Sequence, residues 1–171
     1  MSIHKHKHHI RSVKCMVLTI SDTRSEETDK SGNLIVNVLE EAGHVVKIKR
    51  IVKDDIDVIQ TMVAEGCANP EVDAIITNGG TGIAYRDVTI EAVKSMLDKE
   101  VPGFGEIFRM LSYQEDIGPA AMLSRAIAGV RQHTAIFSTP GSSGAVKLAM
   151  GKLIIPELSH IVNELKKDIN A

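Results

Sequence analysis

The residues best equipped for chemistry lie together in one stretch, Asp73–Glu91, which reads DAIITNGGTGIAYRDVTIE. Within it, Asn78-Gly79-Gly80-Thr81-Gly82 lets the backbone turn sharply and approach a ligand closely, because glycine carries no Cβ. The apolar run Ala74-Ile75-Ile76 before it reads as a strand buried on both faces. Thr89 after it reads as the N-cap of a helix starting at Ile90-Glu91. Strand, glycine loop and helix in that order offer backbone N–H groups to an anion at the carboxyl end of a strand. Asp87 adds a second requirement. A carboxylate beside a bound phosphate is repelled by it, and a divalent cation between the two resolves the conflict.

Other polar residues follow strand-like segments in the same way. Val13–Ile20 predicts a first strand and hands over to Ser21-Asp22-Thr23-Arg24-Ser25. Ser21 and Asp22 either face a ligand crevice or serve as turn and cap residues. His44–Val52 predicts a second strand, followed at once by Asp54-Asp55, with one carboxylate facing the crevice beside Asp87 and one capping the next helix. Thr134–Phe137 predicts a last strong strand. It ends in Ser138-Thr139-Pro140-Gly141-Ser142-Ser143-Gly144, rich in hydroxyls and amides, with Lys147 one turn into the helix beyond. Glu106, in the glycine-bearing turn Val101–Glu106, is either an acid favoured by the helix dipole or a group carried back over the crevice. Ser124-Arg125, near the end of a helix predicted over Ile117–Ala128, either touches phosphate or meets the last carbonyls of that helix.

The elements that must position these groups follow from apolar spacing. Leu34, Ile35, Val38 and Leu39 make an amphipathic stripe ending at Ala42-Gly43; Ile56, Ile59, Met62 and Val63 make another. Val93, Met96 and Leu97 mark a helix ending near Lys99, and Ile107, Met110 and Leu111 mark the next. Gly129–His133 predicts a short edge segment, and Leu153–Lys167 a closing helix. His44 reads as a surface residue, and His160 as a surface or satisfied histidine. At least four strands alternate with helices, which is an α/β pattern. The right-handed crossovers of such units place the strand ends on one edge of the sheet.

Composition narrows the function. A chain of 171 residues, 43% hydrophobic and 25% charged, forms one ordinary globular domain rather than a disordered chain. A net charge of -2 and the absence of Trp give no footprint for nucleic acid, base stacking or an anionic membrane. No apolar run spans a bilayer and no secretory signal is evident, so a cytoplasmic protein is expected. Cys15 and Cys67 read as two reduced thiols. Residues 1–12, with His4, His6, His8 and His9, read as a flexible His/Lys-rich tail, and residues 13–171 as the single domain. The glycine loop matches neither GxxxxGK[ST] nor GxGxxG, and no nucleophile has an informative His partner. Phosphoryl or nucleotidyl transfer, which needs mostly positioning and charge neutralisation, suits these residue types best.

The ordered set Ile20-Ser21-Asp22, Thr77–Gly82, Arg86–Thr89, Pro102–Glu106 and Thr139–Ser142 resembles the MoaB/MogA family of molybdenum cofactor biosynthesis, over roughly residues 13–167. The resemblance implies a three-layer α/β/α sandwich with a mainly parallel sheet, assembled as trimers or hexamers. It also implies binding of molybdopterin and adenylylation of its phosphate by Mg-ATP, with release of pyrophosphate and passage of the product to other enzymes of the pathway. By position, Gly79, Gly80, Thr81 and Gly82 would cradle phosphate, and Asp87 and Asp54 would be the catalytic carboxylates acting through Mg²⁺. Ser21, Asp22, Pro140, Gly141 and Ser142, with Glu106 and Lys147, would line the pterin and nucleotide crevice. Within the same family pattern, a non-catalytic molybdopterin-binding or scaffold protein is the alternative, and a generic nucleotide-binding regulatory domain is a third class.

Overall fold

The structure, a computed structural model, describes residues 11–169. Its strands are β1 (Lys14–Ile20), β2 (Val45–Val52), β3 (Ala74–Asn78), β4 (Lys99–Glu100), β5 (Ile127–Arg131) and β6 (Thr134–Thr139). They form one sheet in the order β2-β1-β3-β6-β5-β4. The β2, β1, β3 and β6 strands run parallel, whereas β5 is antiparallel to β6 and to β4. In register, Leu18 pairs with Thr77 and Thr77 with Ser138, so the carboxyl ends of β1, β3 and β6 finish level.

The helices are α1 (Lys30–Glu41), α2 (Ile56–Ala68), α3 (Thr89–Lys94), α4 (Pro102–Glu115), α5 (Ser143–Ala149) and α6 (Ile155–Lys166). Alternation along β1 divides the interior in two, as a strand's period of two requires. Cys15 and Val17 join Ile35, Leu39, Phe104, Phe108, Val146, Leu158 and Val162 under α1, α4, α5 and α6. Met16, Leu18 and Ile20 join Ile59, Val63, Ala92 and Val93 under α2 and α3 on the other face. The result is the expected three-layer α/β/α arrangement with a mainly parallel sheet. Each of the larger side chains contributes about 1.5–3 kcal/mol by leaving water. The two thiols are free, and burial pushes Cys15 up to about 12, which leaves it unreactive. Among the described residues no helix is long and apolar enough to cross a membrane.

Several segments depart from the pattern reading. Ile117–Ala128 is not one helix: a 3-10 segment occupies Gly118–Leu123, and Ile127 and Ala128 are drawn into β5 against Ser138 and Phe137. Ladder pairing there outweighs the local helical propensity. The helix expected to run to Lys99 stops at Lys94, and Lys99–Glu100 pairs instead with β5. A π-helical segment, Met150–Ile154, joins α5 to α6, so the closing helix is a continuation and not a separate start. Pro156 explains it, because its ring has no N–H and crowds the carbonyl of Lys152, loosening the ladder there. His44 is buried, not on the surface, and its Nδ1 accepts from the Val13 amide at 3.1 Å. Burial lowers its pKa, which keeps that ring nitrogen free to accept. His160 is half-buried and pairs with Glu157, a satisfied histidine. Of the predicted tail, residues 1–10 lie outside the described residues. Arg11 and Ser12 are hydrogen-bonded to the domain, through Ser159 Oγ to the Arg11 carbonyl and Ser12 Oγ to the Gly43 carbonyl.

Candidate functional site

The parallel strand ends enclose a crevice of about 520 Å³. Its wall includes Ser21, Asp22 and Arg24 after β1, Asp54 after β2, Gly79–Gly82 and Asp87 after β3, and Pro140 and Gly141 after β6. Segments expected to meet from their position after strands therefore do meet. Three of the residues expected to line the crevice do not. Glu106 is exposed on α4 and outside the wall. Lys147 lines a separate cleft with Glu115, Asp116 and Lys152. Ser142 is absent from the wall, and its hydroxyl is spent capping α5, accepting from the Ala145 amide at 3.2 Å.

The glycine turn is held by its neighbours. Gly79 has φ +95° and donates to the Thr139 carbonyl at 3.1 Å, while Gly80 has φ +66°. Thr89 does not cap α3 as expected, since Val88 occupies that position. The Thr89 hydroxyl donates instead to the Gly79 carbonyl at 2.9 Å, and its amide to the Gly80 carbonyl at 3.0 Å. Arg125 is bolted to the same turn. Its guanidinium donates to the carbonyls of Thr81 (3.0 Å), Gly82 (2.8 Å) and Asp87 (3.2 Å), and pairs with Glu91. With the turn's carbonyls occupied from behind, the amides of Gly80, Thr81 and Gly82 donate to no described residue. Three consecutive uncommitted amides in a concave wall make an anion cradle.

Carboxylates flank this cradle. Asp87 Oδ2 accepts from the Ala84 amide at 3.0 Å, while its Oδ1 takes no hydrogen bond from any described residue. Asp54 Oδ1 accepts from the Val88 amide at 3.3 Å, and the adjacent Asp55 caps α2 through the Val58 amide, so the two aspartates divide the roles as expected. Asp22 braces the group: Oδ1 accepts from the Asp54 amide at 3.2 Å, and Oδ2 pairs with Arg86 at 2.6 Å. The hydrogen bond from Arg86 holds Asp22 below its ordinary pKa. Asp54 is pushed the other way, first by desolvation and then by the charges of Asp87 and Asp22. Among the described residues no three His, Cys, Asp or Glu side chains are grouped to hold a metal by themselves. Two carboxylates in one wall beside free amides instead fit Mg²⁺, which binds through one or two carboxylates and completes its shell with water and substrate phosphate.

The raised pKa of Asp54 has a measurable consequence. The folded state binds its proton more readily than the unfolded state does. Asp54 therefore costs stability once pH rises through the interval between an ordinary carboxylate, about 3.9, and the raised folded value, and that cost persists at neutral pH. Asp54→Asn is expected to raise the melting temperature by about 1–3 °C at pH 7 without Mg²⁺, and to leave the molecule unresponsive to added Mg²⁺. Differential scanning calorimetry checks both, and a lower melting temperature for the variant would contradict the assignment of an unfavourable charge at Asp54.

Ser124, read with Arg125 as a possible phosphate contact, lies in the wall, and Arg24 and Leu123, which pattern reading did not single out, complete it. Leu123 and Ser124 arrive through the 3-10 segment, which no period in the sequence announces.

Comparison with known proteins settles the ancestry of this arrangement. A family described as "Probable molybdopterin binding domain" matches residues 16–160. The chain belongs to this family. Molybdenum cofactor biosynthesis protein B of Bacillus subtilis (strain 168) is 63% identical over 169 residues, covering 98% of this chain and 99% of that protein. A crystal structure of Molybdenum cofactor biosynthesis protein B superposes with a TM-score of 0.89 at 61% identity, over 91% of this chain and 96% of that one. The tungsten cofactor synthesizing protein MoaB from Pyrococcus furiosus superposes with a TM-score of 0.79 at 38% identity, over 92% and 99%. Within the molybdopterin-binding family, this member is a MoaB-type protein of molybdenum cofactor biosynthesis.

Proposed function

We propose that the protein binds molybdopterin in the strand-end crevice and transfers to its phosphate the adenylyl group of Mg-ATP. The observation that carries this reading is the uncommitted amide run Gly80–Gly82 set between the carboxylates of Asp54 and Asp87. An oxygen of the pterin phosphate attacks the α-phosphorus of ATP. A new P–O–P linkage forms, the bond from the α-phosphorus to the α,β-bridging oxygen breaks, and pyrophosphate leaves with that electron pair. The amides take up charge on the transferring phosphoryl oxygens, and the turn excludes side chains that would block its approach. Asp54 and Asp87 would hold Mg²⁺, which neutralises polyphosphate charge. A crevice meant only to retain an anionic phosphate gains nothing from two carboxylates in its wall, which favours transfer over simple storage.

Assembly into trimers or hexamers in the cytoplasm belongs to the same reading. It is supported by the exposed apolar residues Ile107, Met110 and Tyr113 on α4 and by Met122 nearby. The deciding test is pyrophosphate release from Mg-ATP by the purified protein, with and without molybdopterin. Pterin-dependent release is expected. Molybdopterin binding without release would identify a non-catalytic binding protein, and ATP binding that ignores pterin would identify a nucleotide-binding regulatory domain.

A further inference from the structure

The crevice is electrically lopsided. Its described lining holds the carboxylates of Asp22, Asp54 and Asp87 and a single cation, Arg24. Arg24 is fixed on the Gly141 side of the crevice. One terminal nitrogen donates to the Gly141 carbonyl at 3.0 Å, and the other lies 3.6 Å from Asp29 Oδ1. Asp54 and Asp87 instead crowd Gly80 and Gly82: a Cβ built on Gly80 would lie 2.9 Å from Asp54 Oδ1, and one on Gly82 2.5 Å from Asp87 Oδ2.

Arg24 is also the best-braced side chain of the wall. Asp29 is fully buried and caps α1 through the Gly32 amide at 2.9 Å. It further accepts from Thr19 Oγ1 at 2.8 Å and lies 3.1 Å from Lys49 Nζ. The Gly141 carbonyl takes a second bond, from Ser31 Oγ at 2.7 Å. The Arg24 backbone is tied down too, its amide donating to Ser21 Oγ at 3.1 Å. The Arg24 side chain remains about a third exposed, and its Nε donates to no described residue. A guanidinium held on one edge and open on the other is arranged to bind a phosphate dianion.

Resting on the molybdopterin reading above, the geometry points to Arg24 as the contact for the phosphomonoester of the pterin, with Asp29 as its positioning residue. The metal-bound polyphosphate of ATP takes the acidic end, because only there do carboxylates stand ready for a cation. The accepting phosphate has no metal of its own, so it needs a protein cation to offset its charge in a crevice that also holds Asp54 and Asp87. The two substrate phosphates are thereby brought in from opposite ends, meeting over the amide run.

The test is anaerobic equilibrium binding, without ATP, of molybdopterin and of the same pterin after phosphatase treatment. Wild-type protein is expected to prefer the phosphorylated form by about 10- to 100-fold. Arg24→Gln should bind both forms with the affinity that wild type shows for the dephosphorylated one, and Arg24→Lys should recover part of the preference. Asp29→Asn should reduce the preference while leaving the dephosphorylated form bound as before; a merely structural lesion would weaken both. Mg-ATP affinity should stay within about twofold in the Arg24 variants, and thermal melts should show both to be folded. Folded Arg24→Gln that still discriminates the two forms, or that loses ATP affinity instead, overturns the inference. If wild type binds neither pterin, the reading of the crevice itself fails.

Discussion

Asp87→Asn is expected to fold normally and to lose pterin-dependent pyrophosphate release by about a thousandfold or more. The asymmetry within the carboxylate supports both halves of that expectation. Oδ2 has a local task, accepting from the Ala84 amide at 3.0 Å, and an amide oxygen performs it equally well. Oδ1 has no described donor, so the formal charge it shares is available to a cation or to nothing. Removing that charge also relieves Asp54, one of whose upward influences is Asp87 itself. Stopped-flow or coupled measurement of pyrophosphate release, beside a thermal melt, separates the outcomes. A folded variant with wild-type rates would rule out Asp87 as a metal-holding carboxylate.

Gly79→Ala is expected to cost about 3–5 kcal/mol of folding stability. The left-handed backbone at φ +95° accounts for about 1–2 kcal/mol in any L-residue with a side chain. The larger part is steric: a Cβ there would sit 2.3 Å from the backbone oxygen of Ile20, at the end of a central strand. Backbone on a packed strand cannot step aside as a side-chain tip can. Gly82→Ala makes the contrast, because its Cβ meets the Asp87 carboxylate, whose rotation relieves the clash at the expense of the site. Gly103→Ala, with nothing within 4 Å, should be near neutral or slightly stabilising. Urea denaturation of the three variants checks the order, and a loss below about 1 kcal/mol for Gly79→Ala would contradict the steric account.

Residues such as Asp54 and Asp87 were legible in the sequence because their placement needs only local information: each lies in the connection that follows a strand, and parallel strands finish on one edge. The glycine run was legible for the same reason. Arg24 was visible as a loop residue, but its role depends on Asp29 and Gly141, the second of which is 117 positions away. Arg125 left two readings open, and the structure supplies a third kind of contact: the carbonyls it meets belong to the glycine turn, not to its own segment. Glu106 and Lys147 show the opposite failure. Each follows a plausible turn, but α4 and α5 are oriented by Phe104, Phe108 and Val146 packing into the core, and that packing leaves Glu106 and Lys147 outside the crevice wall. The strand β5, expected as an edge segment, lies between β6 and the true edge strand β4, and it was blurred because its apolar residues lie in a segment whose composition suits a helix.

The reversal of β5 against β6 also gives the molecule two poles. The tight connection at Gln132, where φ is +54°, joins the amino-terminal end of β6 and so lies opposite the crevice. His133 beside it contacts the Leu165 carbonyl near the end of α6, and Lys166 pairs with Asp73 at the start of β3. A fluorophore or surface tether attached at Gln132 would therefore leave the crevice facing solution, giving an immobilised protein whose strand-end crevice remains open.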